Sequence, residues 1–334
     1  MTGQHVVVTG GCGYIGSVLV PRLQETPWVE GVLVLDNLES GSPRNLTAAD
    51  VSSDDFRFRR GDVREYGAVE SAVRGADAVI HLAAITGAAS THDRESETFD
   101  VNYHGTENVL RAVRKFDVDA LAFASSCNNY GRTEHRELDE TVETNPINPY
   151  AKAKQRAEDE IREYAEEYDI NATALRLSTN YGYAPGVRFN LVVNTFVFRA
   201  LTGRPLTVYG DGLNWRPFIH VEDAARAFAD AVANPERWSE FVYNVGANAE
   251  NYRIEDVAEA VQGELDRDLE ITYLEEKRPG PSYHVSFDRL AETGFELEWD
   301  LRAGIRDLSR NLAGEGAGLD ITADRDGQQE ALDG

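Results

Sequence analysis

Val6 to Gly16, VVVTGGCGYIG, is the stretch from which the fold of this chain can be read. Val6, Val7 and Val8 have the length and β-branching of a buried parallel strand, and the run stops at Thr9, where the glycines begin. Gly10, Gly13 and Gly16 are spaced three apart. One allows a tight turn, one lets main chain approach a pyrophosphate, and one lets the next helix pack close to the strand. With that helix over Tyr14 to Gln24, the N–H groups of the turn and of Tyr14 and Ile15 face an anion. A second apolar strand, Val32 to Leu35, ends on Asp36, where an acid accepts both hydroxyls of an adenosine ribose.

Strand-like runs continue at Phe56 to Arg59, Ala78 to Leu82, Ala120 to Ala124 and Ala172 to Leu177. Helical periodicity lies between them, near Val63 to Val73, Glu97 to Lys115 and Tyr150 to Tyr168. That alternation predicts an α/β chain built on a doubly wound parallel sheet. Sites in such sheets form at the carboxyl ends of the strands. Those ends are Gly10, Asp36, Asp62, His81 to Ala84, Ser125 to Cys127 and Leu177 to Asn180, which should share one crevice, with Asp62 and Val63 flanking an adenine.

Beyond residue 180 the pattern is less regular and richer in Pro, Gly and aromatic residues. It predicts a smaller, partly discontinuous α/β domain over 180–313. The expected elements are a helix at Asn190 to Leu201, a strand at Leu206 to Tyr209, a turn at Gly210 to Gly212 and a helix at Val221 to Ala233. A strand at Phe241 to Val245 and helices at Ile254 to Gly263 and Leu301 to Leu312 follow. Residues 1–179, with later segments returning to them, form the first domain, and the acidic stretch 314–334 is expected to be a disordered tail.

The chain has 334 residues, enough for two domains sharing a cleft. No apolar run approaches eighteen residues, so neither a membrane span nor a signal peptide is expected. Two cysteines, Cys12 and Cys127, make no disulfide framework, which predicts a reducing, cytoplasmic compartment. Against 33 basic residues stand 58 acidic ones, a formal charge of −25, which disfavours a nucleic-acid partner. Only four bases are lysines, a composition resembling proteins of salt-saturated cytoplasm. Self-repulsion of that size destabilises a fold at low ionic strength.

Tyr150 and Lys154, in PYAKAK, are four apart at a helix start set by Pro149, so their side chains share a face. A phenol is a poor base at neutral pH, and a neighbouring ammonium favours its ionised form. Bringing it from about 10 to about 7 takes roughly 4 kcal/mol, which Lys154 and a positively charged nicotinamide together are expected to supply. The strand before that helix delivers Ser125 and Ser126 to the same crevice, where a hydroxyl can bind a substrate oxygen.

With these residues in place the sequence resembles the extended short-chain dehydrogenase/reductases, in the nucleotide-sugar epimerase/dehydratase branch typified by UDP-glucose 4-epimerase. The marks are TGGCGYIG, DNLESG, GDV, HLAA, DVNYHGT, FASSCNNYG, NPYAKAK, LRLSTNYG and RPFIHVEDAARA, in that order from residue 5 to about 312. The resemblance implies a Rossmann domain that binds NAD, with Tyr150 as acid/base, Lys154 on the nicotinamide ribose and Ser126 on the reacting hydroxyl. It implies that Asp36 and Asn37 hold the adenosine ribose, and that Asp62, Val63, Leu82, Ala83 and Asn102 complete the cofactor pocket. For a nucleoside diphosphate it implies Asn190 and Leu191 near the phosphates, Val208 and Tyr209 against the base, and Arg216 with Arg278 on the pyrophosphate. A homodimer through the helices 97–115 and 150–168 is expected on the same ground.

Departures from the family pattern narrow the activity. In sugar 4,6-dehydratases of this family the two residues after the catalytic Ser/Thr are typically Asp and Glu, which carry out water elimination. Here they are Cys127 and Asn128, ill-suited to that work. Thr179 stands where many epimerases have an asparagine against the sugar nucleotide. His81 and His220 lack ligand spacing, and no metal is expected. The reading that follows is an NAD-dependent nucleotide-sugar 4-epimerase. Hydride leaves C4 of the sugar, Tyr150 takes the hydroxyl proton, and the 4-keto sugar turns over before the hydride returns. The alternatives are a dehydratase, decarboxylase or dehydrogenase of the same family, and a non-catalytic protein that senses a dinucleotide.

Overall fold

In the computed structural model the described residues are 3–87, 90–133, 137–266, 269–274 and 281–314. Strand β1 (Gln4–Thr9) runs into helix α1 (Gly16–Gln24) and returns as β2 (Val29–Asp36). Next come β3 (Phe56–Arg60), α2 (Tyr66–Val73) and β4 (Ala78–His81). A helical run follows as α3 (Glu95–Phe99), a π turn (Asp100–His104) and α4 (Gly105–Lys115). Then come β5 (Ala120–Ser126), the short β6 (Glu137–Leu138), α5 (Pro149–Tyr168), β7 (Asn171–Leu177) and β8 (Thr179–Tyr181). The second half holds α6 (Val192–Leu201), β9 (Leu206–Tyr209), β10 (Trp215–His220), α7 (Val221–Ala233) and β11 (Val242–Val245). It ends with β12 (Asn251–Arg253), α8 (Ile254–Glu264), β13 (Ile271–Leu274), β14 (His284–Val285), α9 (Asp288–Glu292) and α10 (Leu301–Leu312).

Seven strands form one parallel sheet in the order β11-β7-β5-β4-β1-β2-β3. The central strands β1, β4 and β5 are buried almost throughout, which is why their sequences read as continuous apolar runs rather than alternating ones. Helices α1 and α7 cover one face around Val18, Leu19, Ala224 and Phe228, while α2, α4 and α5 cover the other around Val69, Val109 and Ile161. The sheet is therefore doubly wound, and its strand order reverses between β1 and β4. That is where such folds open a crevice.

The smaller unit packs α6, α8 and α10 around Val197, Phe218, Val261 and Leu308, and carries the sheet β12-β10-β8 and the pair β13-β9. Along α10 Leu301, Ile305, Leu308 and Leu312 are all buried, a period that lays one stripe into this core. Burying each such side chain contributes about 1.5–3 kcal/mol. Asp300 caps that helix by accepting the Ala303 N–H at 2.7 Å.

Several boundaries differ from the sequence expectation. The segment expected as a strand of the smaller domain, Phe241 to Val245, gives β11, which pairs in parallel with β7 and completes the main sheet. The helix expected at Glu97 to Lys115 begins at Glu95 and contains the π turn around Asn102. Three other helices start later, at Gly16, Tyr66 and Val192. The short strands β6, β8, β10, β12, β13 and β14 went unread. Of the expected tail, residues 315–334 lie outside the described residues.

Candidate active site

The glycine turn is tightly constrained on both sides. Gly10 has φ +71°, and a Cβ there would stand 2.7 Å from the Ala83 nitrogen. A Cβ on Gly16 would stand 2.5 Å from the Gly11 carbonyl oxygen, so the start of α1 lies directly on the turn. Asp36 pins the same turn from the end of β2: its Oδ2 accepts the Cys12 N–H at 2.9 Å and its Oδ1 the Leu38 N–H at 2.8 Å. Beneath them, buried His81 links Thr9 Oγ1 (2.6 Å to Nδ1) and Thr106 Oγ1 (3.0 Å to Nε2). Burial, with a smaller effect of the Lys154 charge, pushes His81 down to about 3, so it is a neutral strut. His220, stacked on Trp299 at 4.2 Å, is likewise held neutral by burial. Among the described residues no group of three or more His, Cys, Asp or Glu side chains is placed to hold a metal ion.

Helix α5 opens with Pro149 in its first turn and Asn148 as its cap, the Asn148 side chain accepting the Ala151 N–H at 2.9 Å. Tyr150, Lys154 and Glu158 follow at intervals of four and form a polar stripe on the face turned to β5. Tyr150 faces the cavity, with the Ser126 hydroxyl in the same wall favouring the ionised form of its phenol. Ser126 Oγ also accepts the Asn128 backbone N–H at 3.2 Å and its side-chain amide at 3.1 Å, which leaves the hydroxyl proton to be donated outward. Lys154 is almost wholly buried, with its ammonium 4.6 Å from the centre of the Phe123 ring. Glu158 is fully buried and receives Arg176 Nε at 3.0 Å and Nη2 at 2.8 Å, the Asn129 amide at 3.1 Å, and the Ser125 hydroxyl.

The electrostatics of Tyr150 differ from the sequence expectation. Burial raises its pKa, and the groups that oppose the rise are the Ser126 hydroxyl and the Arg188 charge, not Lys154. Lys154 is itself lowered to about 7 by burial, with Glu158 opposing. Both groups therefore lean towards their neutral forms. The expectation gave Lys154 an ionised ammonium without counting the desolvation that the interior imposes on it.

A cavity of about 930 Å³ runs from the glycine turn to the smaller unit. Its walls include Gly10, Gly13, Tyr14, Ile15, Gly16, Asp36, Asn37, Val63, Leu82 and Ala83, and further along Ser126, Tyr150 and Lys154. Thr179, Asn190 and Leu191 line its far end. Other expected residues stand elsewhere. Asp62 lies behind the wall, paired with Arg64 at 2.7 Å and accepting from Asn37 at 2.8 Å; those bonds hold it near 2. Asn102 is fully buried in the π turn, where its amide donates to the Ile85 carbonyl and accepts the Ile85 N–H. It braces the cavity wall rather than forming it. Val208 is buried in the core of the smaller unit, and Tyr209 is half exposed outside the cavity. Arg216 packs 4.7 Å from the ring centre of Tyr283, whose other side lines the cavity. Arg278 lies outside the described residues. The sequence reading passed over Arg188, Thr86 and Tyr283, all in the wall; they sit in loops without a repeating pattern and meet only through the fold.

A family model described as the NAD dependent epimerase/dehydratase family matches residues 6–246. The chain belongs to that family. Among its relatives, the low-salt glycan biosynthesis protein Agl12 of Haloferax volcanii is 30% identical over 304 residues, 90% of this chain and 96% of that protein. A dTDP-glucose 4,6-dehydratase of Streptomyces griseus is 31% identical over 248 residues, 73% of this chain and 74% of its own length. Among solved structures, the UDP-glucose 4-epimerase of Thermus thermophilus in complex with NAD is 30% identical, with a TM-score of 0.80 over 93% of this chain and 99% of the other. This member is an NAD-dependent enzyme, and its residues fit the cofactor. The turn at Gly10 and Gly16 tolerates no side chain, and a nearly buried carboxylate closes the β2 end of the same cavity.

Proposed function

We propose that this enzyme is a nucleotide-sugar 4-epimerase acting on a UDP-linked sugar. The observation that carries the reading is the surroundings of Ser126. Tyr150 and Lys154 stand on one side of it, and the two following residues offer no titratable group for elimination. The Cys127 thiol is buried, donates to the Arg176 carbonyl at 3.2 Å, and is pushed far up by burial. Asn128 Oδ1 accepts from the Tyr283 hydroxyl at 3.3 Å, and an amide does not titrate. NAD, when bound, supplies a hydride acceptor that gives the hydride back. Ser126 donates to the C4 oxygen and orients it. Tyr150 takes the C4 hydroxyl proton as the carbon is oxidised and returns it as the carbon is reduced. Lys154, one turn further along α5, shares the face of that helix that carries the phenol.

The acidic composition supports a cytoplasm of high salt as the setting, and the faces of α4 and α5 are the proposed contact of a homodimer. Among the described residues no helix is long and apolar enough to cross a membrane. Incubating the enzyme with NAD and UDP-sugars, with products resolved by chromatography and mass spectrometry, tests the activity. The expected product is the C4 epimer at unchanged mass. Loss of water would assign the chain to the dehydratases instead, and stoichiometric cofactor reduction to the dehydrogenases.

A further inference from the structure

We infer that Arg188 recognises an acidic substituent on the sugar, so that the substrate class is a nucleotide-linked uronic acid; this rests on the nucleotide-sugar reading above. Arg188 stands in the cavity wall on the segment leading into α6. Its Nη1 donates to Thr86 Oγ1 at 2.5 Å and its Nε to Asn190 Oδ1 at 3.2 Å, both neutral acceptors. Among the described residues no carboxylate lies within 4.0 Å of it. In a chain with 58 acids for 33 bases, an arginine left without an acid needs a reason. The buried Arg176 has its acid in Glu158. A guanidinium in a partly dry wall keeps its charge and is costly unless an anion meets it.

The position of Arg188 selects among the anions available. The phosphates of the cofactor have the glycine turn and the start of α1. Arg216, half-buried against Tyr283 and also unpaired with any described carboxylate, is the cation that the family resemblance implies for the nucleotide's diphosphate. Arg188 instead lines the same cavity as Tyr150, the residue where C4 reacts, and stands on the segment that also carries Asn190. The exocyclic carbon nearest C4 is C6, carried on C5. When C6 is a carboxylate, its two oxygens match the planar fork that Thr86 and Asn190 already hold in place. A neutral C6 hydroxyl leaves the charge uncompensated. Thr179 lines the same cavity and adds a hydroxyl of the kind that donates to such an anion.

The test compares UDP-glucuronate with UDP-glucose, by calorimetry on the NAD-loaded enzyme and by turnover. Wild type is expected to favour the acid by more than tenfold, and Arg188→Gln to collapse that ratio towards one. Arg188→Lys, which keeps the charge without the fork, falls between them. Titration of the apo variants with NAD accompanies this. Equal wild-type affinity for the two sugars would overturn the inference. So would a loss of NAD affinity in Arg188→Gln that matches the loss for the acid, since Arg188 would then serve the cofactor's phosphates. Release of carbon dioxide from the acidic sugar would keep the assignment of Arg188 while removing the 4-epimerase reading. Absence of turnover on every sugar would remove that reading alone, because the binding ratio still decides the role of Arg188.

Discussion

Removing Arg176 alone should cost this protein more than removing Arg176 and Glu158 together. The pair is sequestered, with side chains 3% and 0% exposed, and it is joined by guanidinium contacts at 2.8, 3.0 and 3.2 Å. Burial pulls Arg176 down, and the charge and hydrogen bonds of Glu158 outweigh it, so the guanidinium is held firmly protonated. In Arg176→Met the carboxylate keeps only the Asn129 amide and the Ser125 hydroxyl, in a place water does not reach. Breaking a buried pair in this way costs about 3–5 kcal/mol, whereas replacing both partners by apolar groups of similar volume is often neutral or stabilising. The expected ordering in urea midpoints is therefore wild type close to Arg176→Met/Glu158→Leu, with both single variants well below. The coupling across the cycle should be at least 2 kcal/mol, on the order expected for groups in one network. Single variants that each cost under about 1 kcal/mol, or costs that simply add in the double variant, would refute the reasoning.

Tyr150→Phe should lower kcat by at least a hundredfold while leaving NAD affinity and melting temperature near wild type, because only the proton-carrying oxygen is removed; retention of a tenth of the activity would exclude Tyr150 as the acid/base. With Asp36 fixed by two backbone N–H groups beside the glycine turn, a 2′-phosphate would meet a carboxylate that cannot swing away. NAD should accordingly bind more than about tenfold tighter than NADP by calorimetry. Glu250 is raised to about 7 by burial and by the charges of Asp300 and Asp223. Between its ordinary 4.5 and that value the folded chain holds a proton the unfolded chain has lost, so stability falls as pH rises through this window. Glu250→Gln should flatten the fall in melting temperature measured from pH 5 to pH 7.5. Melting temperature should also climb as KCl is raised into the molar range, where the Debye length is about 3 Å and surface carboxylates no longer repel one another.

What the sequence disclosed and what it withheld follow from how far each feature depends on contacts distant along the chain. The glycine turn, the strands of the main sheet and the four-residue spacing of Tyr150 and Lys154 are local, and each carries its own pattern. Strands such as β8 and β12, three residues each, are too short for a period to show. β11 has a readable pattern, but which sheet it joins is decided by pairing with β7, nearly seventy positions earlier on the order of a whole domain's worth of turns. Asn102 was placed in the cofactor pocket by its motif, yet the π turn aims its amide at the backbone of Ile85. The perturbed states of Tyr150 and Lys154 depend on burial, which spacing does not report. Arg188 needs Thr86, Asn190 and Tyr150 around it before it means anything, and these lie on three separate stretches of chain.

The late arrival of β11 and α7 sets an order on biogenesis. When β7 leaves the ribosome, the sheet still has an open edge, and the face of α1 that Ala224 and Phe228 later cover is bare. Roughly 70 more residues must be made first, which at 5–20 residues per second takes on the order of 3–14 s. During that interval the nascent chain presents both an unpaired strand and an apolar surface, the two features that recruit chaperones or neighbouring chains. Of the smaller unit only α6, β9 and β10, with β8, are synthesised within that interval; α8 and α10, which complete its core, follow β11, so that half of the crevice matures last.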